Sequence, residues 1–313
     1  MQLQQLSRDV FACLQEDRGL GFSNSGLITT GGGLVVDTFW DLPHTREMIR
    51  LYAEVHSEPV ARVLNTHANG DHCWGNQLFP QAELIGHRLC AEHFSRENPK
   101  AMQALRGAAN SSDGAMAYLG KALSEWDFEG IELTSSTTLI DERLDLELGP
   151  VRVQMLYVGP AHTGADVIAF LPDQRILFTG DILFRNCMPI GWDGTFEKWI
   201  SALDAIIALR PEIIVPGHGP LCGIESPREM QDYLKYVRNQ ASHFYNRDIE
   251  PLEAAKRIDL GPYAGWTEPE RLIFNVARAY REFRGESHDA PIDVPSMFRQ
   301  AHELRQAMKA RAC

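Results

Sequence analysis

The sequence predicts a mixed α/β (α+β) chain in which strands carry chemistry at their ends and helices cover them. Three features carry that reading. Short β-branched runs at 60–64, 151–158, 167–171, 176–179 and 213–215 alternate with stretches of helical spacing at 46–55 and 197–209. Four of those runs lead straight into a loop that sets His or Asp beside Gly. From Ser226 onward the pattern turns helical, at 227–244, 251–257, 268–283 and 295–310.

In chain order, residues 6–13 have the spacing of an amphipathic helix. Two apolar runs at 23–30 and 34–38 flank Gly31, Gly32 and Gly33 and read as a hairpin. Those glycines lack GxGxxG or Walker spacing and precede a strand, so they do not read as a phosphate cradle. Asp41 and Pro43 supply a turn and cap for the helix at 46–55, where Met48, Ile49, Tyr52 and Val55 recur at helical spacing. His44 and His56 flank it and are expected in solvent.

A helical turn is expected at 73–80 and a buried strand at 82–85. Residues 87–128 have a different texture, with helical stretches at 87–96, 101–109 and 115–126 broken by Asn98-Pro99 and by the polar run 110–114. This reads as a helical insertion. Its Met102, Met116, Tyr118, Leu119 and Trp126 suit a pocket wall and equally a plain core. His87 and His93 lie outside ligand spacing and read as structural. Strands return at 131–139 and 144–148. No repeat or low-complexity linker divides the chain, so a catalytic domain over 1–225 is expected, with a helical extension over 226–313 packed on it.

Composition narrows the function. The 313 residues, 44% hydrophobic and 23% charged, can bury a large core. No run of about 18 apolar residues appears, and the first residues lack a basic region followed by an apolar one, so neither a membrane span nor a secretory signal is expected. The cysteines at 13, 73, 90, 187, 222 and 313 have no CxxC spacing, which predicts free thiols and a cytoplasmic protein. A net charge of −12, from 42 acidic against 30 basic residues, repels a phosphate backbone and makes nucleic acid an unexpected partner. A small-molecule substrate is the expectation; oligomeric state leaves no signal.

The chemistry lies in His67, Asp71, His72, His162, Asp181 and His218. Six imidazole and carboxylate donors at the ends of separate elements suit Zn²⁺. Gly70, Gly159, Gly180 and Gly217 beside them leave the backbone room for tight turns.

The run Thr66-His67-Ala68-Asn69-Gly70-Asp71-His72, followed by His162, Gly180-Asp181 and Gly217-His218, resembles the metallo-β-lactamase superfamily over about Ser23 to Gly219. The resemblance implies an αββα sandwich of two mixed sheets flanked by helices, with metals at one edge. It places His67 and His162 at a first metal position, Asp71, His72 and His218 at a second, and Asp181 bridging both. One position departs: where the HxHxDH motif has its second His, this chain has Asn69, whose amide oxygen is a poorer zinc ligand. One tightly held Zn²⁺ and a weaker second ion are therefore expected, with iron as an alternative.

Bound metal lowers the pKa of water to about 7 and polarises a carbonyl, and Asp71 is placed to ligate and to orient that water as the catalytic residue. A bridging Asp181 is similar to the branches that hydrolyse esters, thioesters and lactones. The wording of residues 66–76 also resembles polyketide cyclase-thioesterases. Two other expectations stand beside hydrolysis: an iron enzyme resembling persulfide dioxygenases, through His67, His162 and Asp181, and a non-catalytic metal-binding protein. Cys73 reads as a small buried residue under the loop or a neighbour of the metals, and Trp74 and Asn76 as loop supports. Residues 192–195 read as a rim of the entrance or as a cap for the next helix.

Overall fold

A computed structural model describes residues 1–16 and 18–312. Gln2–Ser7 (β1) and Val10–Leu14 (β2) pair antiparallel, followed by Ser25–Ile28 (β3) and Leu34–Val36 (β4), helix Leu42–Ala53 (α1) and strand Arg62–Asn65 (β5). The helix expected at 6–13 is thus strand. Its apolar residues fit either period, and pairing of Val10 to Cys13 with Ser25 to Ile28 settles the choice. Asp41 caps α1 by accepting from the backbone N of His44 at 2.8 Å.

The short helix Gly70–Cys73 (α2) follows β5, then Glu83–His87 (β6). The insertion folds as Arg88–His93 (α3), Pro99–Arg106 (α4) and Gly114–Ala122 (α5). Of the strand expected at 131–139, only Thr138–Ile140 (β7) pairs. Upstream, side chains of the loop after α2 take the backbone instead: Asn76 Nδ2 donates to Thr134 O, and Gln77 Oε1 accepts from Glu132 N. The second sheet is built from Arg143–Leu148 (β8), Val151–Tyr157 (β9), Val167–Leu171 (β10), Ile176–Phe178 (β11) and, after Phe196–Leu209 (α6), Ile213–Val215 (β12). Helices Glu225–Tyr245 (α7), Pro251–Arg257 (α8), Leu272–Phe283 (α9) and Val294–Ala312 (α10) complete the chain.

The sheets run β1-β2-β3-β4-β5-β6-β7 and β12-β11-β10-β9-β8, each mixing parallel and antiparallel pairs. Ile28, Leu34, Leu64 and Ile85 of the first meet Val153, Met155, Val167 and Phe178 of the second in a buried layer between them. On the outer face of the first sheet, Leu27, Val35 and Val63 pack on Met48 and Tyr52 of α1. On the outer face of the second, Ile168, Phe170 and Leu177 pack on α6, α7 and α9. The result is the αββα sandwich, two half-buried sheets each sealed by helices.

Cys73 is fully buried, with its thiol donating to Asn69 O at 3.1 Å, a packing role beneath the loop. Cys13, Cys73, Cys90 and Cys222 are free thiols; Cys313 lies outside the described residues. His44 is not a solvated residue: Nδ1 lies 2.7 Å from Asp41 Oδ1 and the ring packs on Trp126. His56 is likewise half-buried. His87 is buried and stacked on Tyr157. Among the described residues no helix is long and apolar enough to cross a membrane.

Candidate metal centre

Parallel strands leave their C-terminal ends at one edge of a sheet, and the loops gather there. β5 ends at Asn65 and delivers His67, Asn69, Asp71 and His72. The loop after β9 carries His162, the turn after β11 carries Asp181, and the loop after β12 carries His218. All of these predicted site residues converge.

Asp181 is the hub. Its Oδ1 lies 3.1 Å from His72 Nε2, and its Oδ2 lies 3.3 Å from Nε2 of both His162 and His218 and 3.9 Å from that of His67. Asp71 Oδ2 is 3.3 Å from His218 Nε2 and 3.6 Å from His72 Nε2. Two tight triads result, His67–His72–Asp181 and Asp71–His72–His218, each with donor atoms within 4.8 Å of one another. His162 and Asn69 join the first through Asp181, with Asn69 Oδ1 3.1 Å from His162 Nε2.

The loops are held by groups that spacing alone did not single out. Asp37, at the end of β4, accepts from Thr66 N and Thr66 Oγ1 and from His72 Nδ1 at 3.0 Å. Because Thr66 spends its hydroxyl proton on Asp37, its oxygen accepts from His67 Nδ1 at 3.0 Å. His218 Nδ1 donates to Phe22 O at 3.0 Å. In the neutral form these three rings are thereby fixed with the proton on Nδ1, which leaves the Nε2 lone pair for a cation. Asp166 ties down the His162 loop, accepting from Ala161 N, Thr163 N and Thr163 Oγ1. Asn24 Nδ2 donates to Pro216 O and Gly219 O across the His218 loop. Asn76 pairs with Asn65, beneath the α2 loop. The available signals were an Asp directly after the apolar run 34–36 and a Thr three residues before Asp166.

Glycine fits where backbone and ligand touch. Gly180 adopts φ +48° over Thr66, and a Cβ on Gly217 would collide with Asp181 Oδ1.

The donor set fits a cation. His67 Nε2, His72 Nε2 and Asp181 Oδ1 are buried and have no hydrogen-bond partner among the described residues, although they face one another. Against the penalty of burial, Asp181 and Asp71 raise His72 well above its usual range and His218 up to about 10, while both carboxylates stay below theirs. Burial, then the charge on His72, pushes His67 down to about 4; burial also takes His162 to about 3.

The centre opens on a cavity of about 640 Å³. Asn69, Asp71, His162, Asp181 and His218 reach it, with His67 and His72 behind them. Most of the wall is apolar: Trp40 and Phe184 near the centre, Met102, Met116, Leu119 and Leu123 from the insertion, Ile292 and Phe298 from the C-terminal region. Tyr118 instead donates to Glu270, and Trp126 is core. Trp192 and Asp193 border the cavity, with Asp193 3.2 Å from Arg96, and Thr195 caps α6, so this segment does both things expected of it. His93 also lines the wall.

The model of the Metallo-beta-lactamase superfamily matches residues 18–218, which take in β3 to β12 and every donor above. The chain belongs to the metallo-β-lactamase superfamily. Within it, the chain is similar to a linear primary-alkylsulfatase of a Pseudomonas strain, 24% identical over 84% of this chain and 56% of that one. It is also similar to the alpha subunit of a Nocardioides 2,4-dinitroanisole O-demethylase, 26% identical over 60% and 49%. The chain thus spans about half the length of these curated relatives. Among solved structures, a Pseudomonas sec-alkylsulfatase superposes with a TM-score of 0.65 at 18% identity, over 93% of this chain and 51% of that one. A metallo-β-lactamase from Pontibacter korlensis gives 0.56 at 17% identity over 74% and 97%. These superpositions show the superfamily fold.

Proposed function

We propose that this chain is a metallo-hydrolase that cleaves an ester-like bond in a small molecule with an apolar acyl or alkyl part, thioesters and lactones foremost, using Zn²⁺. The observation that carries this is the position of the donor cluster at the end of a mostly apolar cavity. His67, His162, Asn69 and Asp181 would hold one ion and Asp71, His72, His218 and Asp181 the other. A divalent ion there supplies acidified water and polarises the scissile carbonyl.

The chain's own residues do the rest. Asp71, reaching the cavity beside His218, orients the attacking water and accepts its proton as the water oxygen adds to the carbonyl carbon. Collapse breaks the C–S or C–O bond, and the leaving thiolate or alkoxide takes the proton back. Phe184, stacked on His218 at 5.0 Å, and Trp40 keep bulk water from this end. Met102, Met116 and Leu119 would receive the apolar part.

The test is turnover of the zinc-reconstituted protein on acyl-thioesters and lactones of increasing chain length. kcat/KM is expected to rise by up to about fourfold per buried methylene. Asp71→Ala is expected to lose about 100-fold or more with metal content checked in parallel. A metal-loaded protein inert toward the whole panel overturns the reading.

A second reading has its own support. The alkylsulfatase fold matches 93% of this chain, beyond the 18–218 core and into the C-terminal helices that help wall the cavity. Medium-chain alkyl sulfates belong in the same panel, and their turnover without thioesterase or lactonase activity would move the scissile bond to a sulfate ester.

A further inference from the structure

The amide of Asn69 is not free to choose its orientation. Its Nδ2 donates to Glu97 Oε1 at 2.7 Å, and the next residue, Gly70, donates its backbone N to Glu97 Oε2 at 2.8 Å. A carboxylate only accepts. Turning the amide over would set Oδ1 against Oε1, acceptor to acceptor, so the clamp holds Oδ1 on the opposite side, 3.1 Å from His162 Nε2. That nitrogen lies 3.3 Å from Asp181 Oδ2.

We propose that Glu97, from the turn between α3 and α4 in the insertion, is a positioning residue that makes Asn69 an oxygen ligand of the first metal position. This rests on the two-ion reading above. Both oxygens of Glu97 are engaged by residues 69 and 70, so it acts on the ion through Asn69. The superfamily's second histidine is thereby replaced by a pair, one residue supplying the donor atom and the other its direction. With an amide oxygen in place of a ring nitrogen, this position offers two imidazole nitrogens like its neighbour but one carboxylate against two, and is the weaker for zinc.

The pair can be reversed, which gives the test. In Glu97→Gln the backbone N–H of Gly70 claims the glutamine oxygen, leaving the glutamine NH₂ facing residue 69. Asn69 Oδ1 then turns toward that NH₂ and presents its own NH₂ to the ion. In the double variant Asn69→Asp, Glu97→Gln, one carboxylate oxygen accepts from the glutamine while the other faces the ion. Zinc affinities are read by competition with a chromophoric chelator, on folded protein checked by circular dichroism.

Glu97→Gln is expected to weaken the second, looser zinc by about tenfold or more and leave the tighter one within about threefold. The double variant is expected to recover the loss. An unchanged Glu97→Gln, or a double variant no better than it, overturns the proposal, since a merely structural Glu97 predicts no rescue. Should the variants fail to fold, the zinc-loaded wild type decides by NMR: an Asn69 side-chain NH₂ that exchanges as fast as a solvated amide overturns it, and a protected one upholds it. A wild type that takes up no zinc overturns both this and the metallo-hydrolase reading. Zinc uptake without turnover on any substrate removes only the latter.

Discussion

Asp37 Oδ2 accepts a hydrogen bond from His72 Nδ1 at 3.0 Å, and both side chains are buried to within a few percent of complete exclusion. The same carboxylate receives the hydroxyl of Thr66, which in turn receives His67 Nδ1. One carboxylate therefore sets the tautomers of two candidate ligands. Asp37→Asn keeps the shape but presents an NH₂ where an acceptor is needed. Zinc affinity is expected to drop by about 10–100-fold, read by chelator competition. Unchanged affinity would show that the tautomers are set elsewhere.

Gly217→Ala should act on Asp181. The new methyl occupies the place of Asp181 Oδ1, so the hub carboxylate must move or the loop after β12 must open. Zinc content after dialysis is expected to fall below one ion per chain, with a loss of about 1–3 kcal/mol in unfolding free energy. Elemental analysis and a denaturant curve check both.

The ion-free protein should lose stability in alkali. Opposed by burial but raised by Asp181 and then Asp71, His218 titrates at about 10 in the folded chain against about 6.5 unfolded. A folded pKa above the unfolded one stabilises fully below about pH 6.5, and the contribution is lost as pH rises toward about 10. The Tm of chelator-treated protein is expected to fall by several degrees between about pH 7 and pH 10. Zinc-loaded protein should hold its Tm over that range, because the cation replaces the proton. A flat ion-free profile would refute this.

Metal removal should be asymmetric. One ion is expected to survive dialysis and a second to leave, with Asn69→His retaining both. Elemental analysis of protein from unsupplemented medium also tests iron: stoichiometric iron with oxygen uptake would favour oxidation over hydrolysis.

The cavity sets substrate length. Met116→Trp, which fills the wall formed by the insertion, is expected to cut kcat/KM for long acyl chains by about tenfold or more and leave the shortest substrate within about threefold. A uniform loss across the series would show that the chain lies elsewhere.

By itself the sequence determined the strand-end placement of His67, Asp71, His72, His162, Asp181 and His218, because apolar period and loop chemistry are local and ligands sit where strands stop. It also located the helical stretches within 87–128 and those after Ser226. Local pattern could not tell helix from strand at 6–13, where apolar spacing satisfies both periods and only a partner strand decides. It did not reveal Asp37, Asp166 or Glu97, since an isolated carboxylate carries no periodic mark. Their roles exist only across 29, 35 and 28 residues of chain or within a buried loop, where tertiary packing brings acceptor to donor. Tertiary structure also decided that the apolar residues of the insertion and of the C-terminal region face one cavity, because a side chain's direction follows from what its helix packs against.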